Sequence, residues 1–189
     1  MELTPRLPTQ SPADLVPRHH QPVYLMLKPL ASIADAIWRQ ARALGIESNY
    51  AKERYHITLL PLGDVAHIPS ALMALLVHAL AAFEAEPFEI ALKRVSGNAL
   101  QASSPMCALH ALQDQLVAHL IAAGFPVLDY EFSPHLSLTY GEWEPRNLTI
   151  PSIFWRAEEL LLVKSIHRER RHEILQRIPL ISRQPTLPW

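Results

Sequence analysis

Two imidazoles and two hydroxyls recur in this chain at one spacing. In Tyr55-His56-Ile57-Thr58-Leu59-Leu60-Pro61-Leu62-Gly63, one apolar residue separates His56 from Thr58. In Ser133-Pro134-His135-Leu136-Ser137-Leu138-Thr139-Tyr140-Gly141, one apolar residue separates His135 from Ser137. Alternate residues of a strand point to opposite faces. Read as strands, each run therefore puts its histidine and hydroxyl on one face and its apolar residues on the other. Imidazole titrates near neutrality and can give or take a proton at working pH. Two imidazoles on opposite sides of one phosphorus suffice for in-line displacement. The neutral one takes a proton from the attacking water or hydroxyl, and the protonated one gives a proton to the leaving oxygen. The hydroxyls of Thr58 and Ser137 can donate to the non-bridging oxygens and hold them still. Such chemistry calls for no metal and no cofactor. Each histidine would contribute ~10²–10⁴-fold.

The two units sit in different halves of the chain, which we read as an internal duplication with a period too long for a solenoid. Val23 to Lys28 predicts the first strand, with Val23, Leu25 and Leu27 on its apolar face. Tyr24, Met26 and Lys28 form a mixed face suited to a cleft, where Tyr24 and Lys28 could meet a base or a phosphate. Apolar residues from Leu30 to Leu44 fall at helical spacing and stop at Gly45. A second helix starts at Pro69, with Leu72, Leu75, Leu76, Ala79, Leu80 and Phe83 as its stripe, His78 beside it and Pro87 as its end. Residues 88–102 read as a hairpin about Ser96-Gly97-Asn98. A third helix opens at Pro105, carries Met106, Leu109, Leu112, Leu116, Leu120 and Ile121 on one side, and closes at Gly124. Arg156 to Ile166 and His172 to Ile181 form a terminal hairpin. Interleaved strands and helices with tight turns favour an α+β fold with largely antiparallel sheets over a doubly wound parallel one.

The composition sets limits. The chain has 189 residues, 49% of them hydrophobic and 19% charged, with a net charge of −1. A chain of this size buries ~70% of its unfolded surface. The near-neutral balance argues against a DNA-coating protein but leaves room for a local basic patch. A single cysteine, Cys107, fits a reducing cytoplasm. No apolar run approaches the ~20 residues of a membrane helix, and the amino terminus lacks the apolar core of a signal peptide.

The units His56-Ile57-Thr58-Leu59 and His135-Leu136-Ser137-Leu138 resemble the two tetrapeptide signatures of the 2H phosphoesterase superfamily. The phrases around them resemble its bacterial 2′-5′ RNA ligase-like branch, as does the closing segment from Trp155 through Leu160–Ser165 to Ile178-Pro179-Leu180. The resemblance covers roughly residues 22–181. It implies a bilobal, duplicated α+β fold with a central cleft and helices packed outside. It also implies metal-independent chemistry on 2′,3′-cyclic or 2′-5′ phosphodiesters of RNA ends or nucleotides, with 2′-5′ linkages joined in the reverse direction. On this resemblance His56 and His135 are the acid–base pair, with either role open to either residue, and Thr58 and Ser137 bind phosphate. Ser137 stands where threonine is commoner; the hydroxyl survives. The expected organisation is a Pro-rich arm over residues 1–21, one bilobal domain over 22–181, and an irregular tail over 182–189.

Other readings compete. A non-catalytic module gripping RNA ends or nucleotides would keep the cleft without needing both histidines to titrate. A zinc hydrolase would need three protein ligands in a compact set, and no His-Glu-x-x-His pattern is present. Arg168, Arg170 and Arg171 could gather phosphates of a longer RNA, although a solvated turn explains them more simply. Asp129 and Glu131 could orient an imidazole or merely solvate a loop. Parity puts Tyr140 opposite His135, as a packing residue. The His19-His20 pair reads as solvated linker.

Overall fold

The computed structural model describes residues 20–46, 50–102, 106–140 and 146–182. These form strands β1 (Pro22–Leu27), β2 (Ile57–Asp64), β3 (Phe88–Gly97), β4 (Ala99–Gln101), β5 (Leu136–Ser137), β6 (Arg146–Ala157), β7 (Glu159–Ile166) and β8 (Arg171–Pro179). The helices are α1 (Ala31–Ala43), α2 (Ser70–Ala81) and α3 (Cys107–Ala122). All eight strands join one open sheet in the order β6-β3-β4-β5-β2-β1-β7-β8. Every neighbouring pair is antiparallel. The fold is α+β, as the alternation of elements predicts.

The strand order reads symmetrically outward from its centre. On one side, β1–α1–β2 forms a strand–helix–strand unit, with β7 and β8 beyond it. On the other, β4–α3–β5 forms the same unit, with β3 and β6 beyond it. The two histidine-bearing segments are thus the inner edges of two related halves. They meet where Ile57 pairs with Leu136.

One face of the sheet buries the core. Val23, Leu25, Leu27, Ile57, Leu59, Leu100, Leu136 and Leu162 pack there against Ile37 and Ala41 of α1, Leu76 and Leu80 of α2, and Leu109 and Leu116 of α3. Burying each such side chain fully is worth ~1.5–3 kcal/mol. Among the described residues the opposite face carries a small apolar patch, in which Met26, Leu161 and Val163 pack with Tyr24. The three helices all cover the other side. No helix among the described residues is long and apolar enough to cross a membrane.

Several expectations need correction. The glycine closing the first histidine run, which reads as a stop in the sequence, does not end its strand: with φ near +101° Gly63 sits within β2, beside an irregularity in the β1–β2 register, a conformation that glycine adopts at low cost. α2 ends at Ala81 rather than at Pro87. Ile121 lies outside the α3 stripe and is 60% exposed. The second histidine strand shrinks to Leu136–Ser137. β6 extends the final strand system well upstream of Arg156, and the chain breaks at Glu158 before β7. Pro151 fits inside β6 because that strand is an edge. The arm up to residue 19, Pro105, Gly141 and the tail from residue 183 lie outside the described residues.

His20 is also not a solvated linker. Its Nδ1 is 2.7 Å from Asp64 Oδ2, and its ring stacks on His167 at 5.6 Å. Asp64 is buried and accepts from the backbone N–H groups of Gln21 (2.7 Å) and Ala66 (2.9 Å). It thereby fixes the entry to β1 and the exit from β2 together. Asp64→Ala leaves those donors without an acceptor. The expected cost is ~1–3 kcal/mol, read as a lower urea midpoint at unchanged slope.

Candidate active site

The site is built from the seam between the halves. Ile57 faces Leu136 across the antiparallel β2–β5 pair, and both side chains enter the core. Continuing that register by one residue in each direction sets His56 opposite Ser137 and Thr58 opposite His135. All four then lie on the face away from the helices. Diagonal neighbours in such a pair are ~7–8 Å apart at the backbone. Two imidazoles at that spacing leave room for one tetrahedral group between them. His56, Thr58 and His135 are partly buried and Ser137 is buried.

The same device holds both rings. His56 Nδ1 lies 2.6 Å from the carbonyl oxygen of Arg54, two residues upstream. His135 Nδ1 lies 2.7 Å from the carbonyl oxygen of Ser133, again two residues upstream. A carbonyl only accepts, so each Nδ1 carries the hydrogen and each Nε2 is left as the working atom. Backbone carbonyls therefore do the orienting considered for Asp129 and Glu131, which are exposed.

Burial dominates the electrostatics around His56. Burial pulls the His56 pKa down to about 4, assisted by nearby Lys28, Arg54 and His135 and opposed by the bond to the Arg54 carbonyl. His56 is thus neutral in the free protein at physiological pH. A third histidine, His172 of β8, meets it edge-on with ring centroids 5.1 Å apart. Burial and the neighbouring His56, Lys28 and Arg54 bring His172 down to about 3.

Tyr24, Met26 and Lys28 line this face, as expected of the mixed side of β1; Met26 stands opposite Thr58. Three contributors had no local signal in the sequence. His172 reaches His56 only because β8 comes back to touch the Lys52–Arg54 turn. Arg54 orients His56 through its carbonyl and lies over the Tyr50 ring at 4.9 Å. Asn98 reads as a simple turn residue. In the fold its carbonyl accepts from Leu138 N–H (2.8 Å) and its side-chain amide donates to the Thr139 carbonyl (2.7 Å), which anchors the chain just past Ser137. Tyr140 is not a packing residue: it is 67% exposed and sets its ring edge against Tyr50. Arg168, Arg170 and Arg171 are exposed, and Arg171 pairs with Glu169. Among the described residues no group of three or more His, Cys, Asp or Glu is placed to hold a metal ion.

An antiparallel sheet in two related halves, with a histidine and a hydroxyl on each side of the seam, defines a duplicated α+β fold. The profile of the 2′-5′ RNA ligase superfamily matches residues 29–173. The chain belongs to that superfamily, the 2H phosphoesterases. No curated protein matches it. Among solved structures, it resembles apo LigT of E. coli with a TM-score of 0.69 at 21% identity, over 87% of this chain and 99% of that one. A structure described as a phosphoesterase gives 0.67 at 17% identity, over 86% and 99%. TT0787 of Thermus thermophilus gives 0.62 at 17% identity, over 86% and 100%. LigT has also been solved with 3′-AMP and with phosphate. At these identities the solved structures speak to the fold.

Proposed function

We propose that this protein is a metal-independent phosphodiesterase that opens 2′,3′-cyclic phosphates of RNA ends or nucleotides, working in the cytoplasm as one domain over residues 22–181. The observation that carries the reading is the single face on which His56, Thr58, His135 and Ser137 converge across the Ile57–Leu136 pair. His56, kept neutral, takes the proton of the attacking water through Nε2. His135, protonated, delivers its proton to the leaving ribose oxygen as the P–O bond breaks. One proton is taken and one given, and the product is a phosphomonoester. Thr58 and Ser137 donate to the non-bridging oxygens, where charge builds in the transition state. Joining of a 2′-5′ linkage is the same ring opening with a 5′-hydroxyl in place of water: His56 takes the hydroxyl proton, His135 protonates the leaving 3′ oxygen, and a 2′-5′ phosphodiester replaces the monoester; its cleavage back to the cyclic phosphate runs with the two imidazoles in exchanged roles. The complexes of LigT with 3′-AMP and phosphate support a nucleotide-sized ligand for this fold.

The test is a product profile over a panel of cyclic phosphates in excess chelator. The expected result is a 2′,3′-cyclic nucleotide opened to its monophosphate at a rate the chelator leaves unchanged. Tight binding without turnover would favour the non-catalytic module instead. Loss of turnover with chelator would overturn the two-histidine mechanism.

A further inference from the structure

β2 has two flanks. β5, with His135 and Ser137, lies on one, and β1 lies on the other. The β1–β2 register ends at Leu27 opposite Ile57, so the next residue, Lys28, comes level with His56 on that second flank. Arg54 is close enough to press electrostatically on Lys28, and both cations act on His56 and His172. After burial itself, which disfavours the Lys28 cation, Glu53 acts on it most strongly and favours it, and Arg177 and then Arg54 oppose it. The His172 ring closes this flank against His56. Neither Lys28 nor Arg54 makes a salt bridge among the described residues. Lys28 and Arg54 are partly buried, and the Arg54 Nε is buried without a hydrogen-bond partner.

Two half-buried cations on one flank, neither held in a salt bridge, leave positive charge that a bound anion can neutralise. We propose that Lys28 and Arg54, walled by His172, form a second anion subsite that holds a phosphate of the substrate other than the one under attack. Its occupant is the phosphate on the 5′ side of the nucleotide whose cyclic phosphate is opened. One strand spacing, ~4.8 Å, separates β2 from the strand on either flank. The reacting group lies over the β5 flank and the second anion over the β1 flank, so they are different groups. This assignment rests on the reading of His56 and His135 as the reacting pair.

The test compares binding of a nucleoside 3′-monophosphate and the corresponding 3′,5′-bisphosphate to the full chain by calorimetry. The bisphosphate is expected to bind roughly tenfold tighter or better, as charge-assisted hydrogen bonds to one phosphate allow. Lys28→Met is expected to remove that difference while leaving the affinity for the 3′-monophosphate and the circular dichroism spectrum of the free protein unchanged. Equal affinities in the wild type would overturn the subsite. So would a Lys28→Met variant that weakens both ligands alike. Kinetics supply a second arm, with 2′,3′-cyclic nucleotides bearing a 5′-hydroxyl, a 5′-phosphate or a 5′-linked nucleotide. A preference for the 5′-phosphate identifies a mononucleotide substrate, and a preference for the dinucleotide identifies an RNA backbone. Bisphosphate preference without any turnover would retain the subsite and sink the hydrolase reading. Turnover indifferent to the 5′ group would do the reverse.

Discussion

His135→Ala is expected to slow the opening of a 2′,3′-cyclic phosphate by ~10²–10⁴-fold, and His56→Ala by a similar factor. The loss should fall mainly on kcat, because each imidazole moves a proton in the transition state and contributes less to holding the ground state. Residues acting as one unit are not additive, so the double variant should fall well short of the product of the two factors. Neither substitution should unfold the protein. Both side chains are only partly buried, and the hydrogen bond each ring makes runs to a carbonyl two residues away. Single-turnover rates with circular dichroism on the same samples decide the matter. A single variant that kept wild-type kcat would remove that histidine from the chemistry.

Acidification should separate activity from stability. kcat/KM reports the free enzyme, in which His56 stays neutral down to about 4. As pH falls from 7, the base remains available, and the acid limb of the profile should lie near pH 4 rather than near the ordinary imidazole value of ~6.5. Lys28→Met removes one of the charges that depress His56, so it should move that limb upward. Folding behaves differently. His56 and His172 titrate near 4 and 3 in the fold but near ~6.5 in the unfolded chain. Between those values the unfolded chain binds more protons, so stability rises with pH. The contribution is complete above ~6.5 and is lost progressively as pH drops toward the folded values. At pH 5 the loss is on the order of 1–2 kcal/mol per histidine. Urea midpoints at pH 7.5, 6 and 5 measure it, and His172→Gln should flatten the slope. A midpoint that did not move across this range would show that neither ring is shielded as described.

Much of the site is legible in the sequence because strand alternation works at short range. A histidine and a hydroxyl two residues apart share a face whatever the length of the strand. His135 and Ser137 therefore keep a common face although β5 is far shorter than the alternation of His135 to Tyr140 suggests. The stripes of α1, α2 and α3 are legible for the equivalent reason at helical period. β6 is not, because an edge strand need not keep one face apolar, and Pro151 argues locally against a strand. His172 and Arg54 escape for a different reason. Their relation to His56 arises when the sheet brings β8 back to the Lys52–Arg54 turn. Asn98 is half legible: its turn is visible, but its grip on Leu138 and Thr139 is not.

The backbone ladder joining the two halves is one residue pair long at Ile57 and Leu136. Longer ladders run within each half, so the shortest fastening in the described sheet lies directly beneath the candidate site. On the proposed function, a phosphoryl group held from both sides is expected to act there as a clasp between two leaves, so that part of the energy of gripping it would go into stiffening the seam.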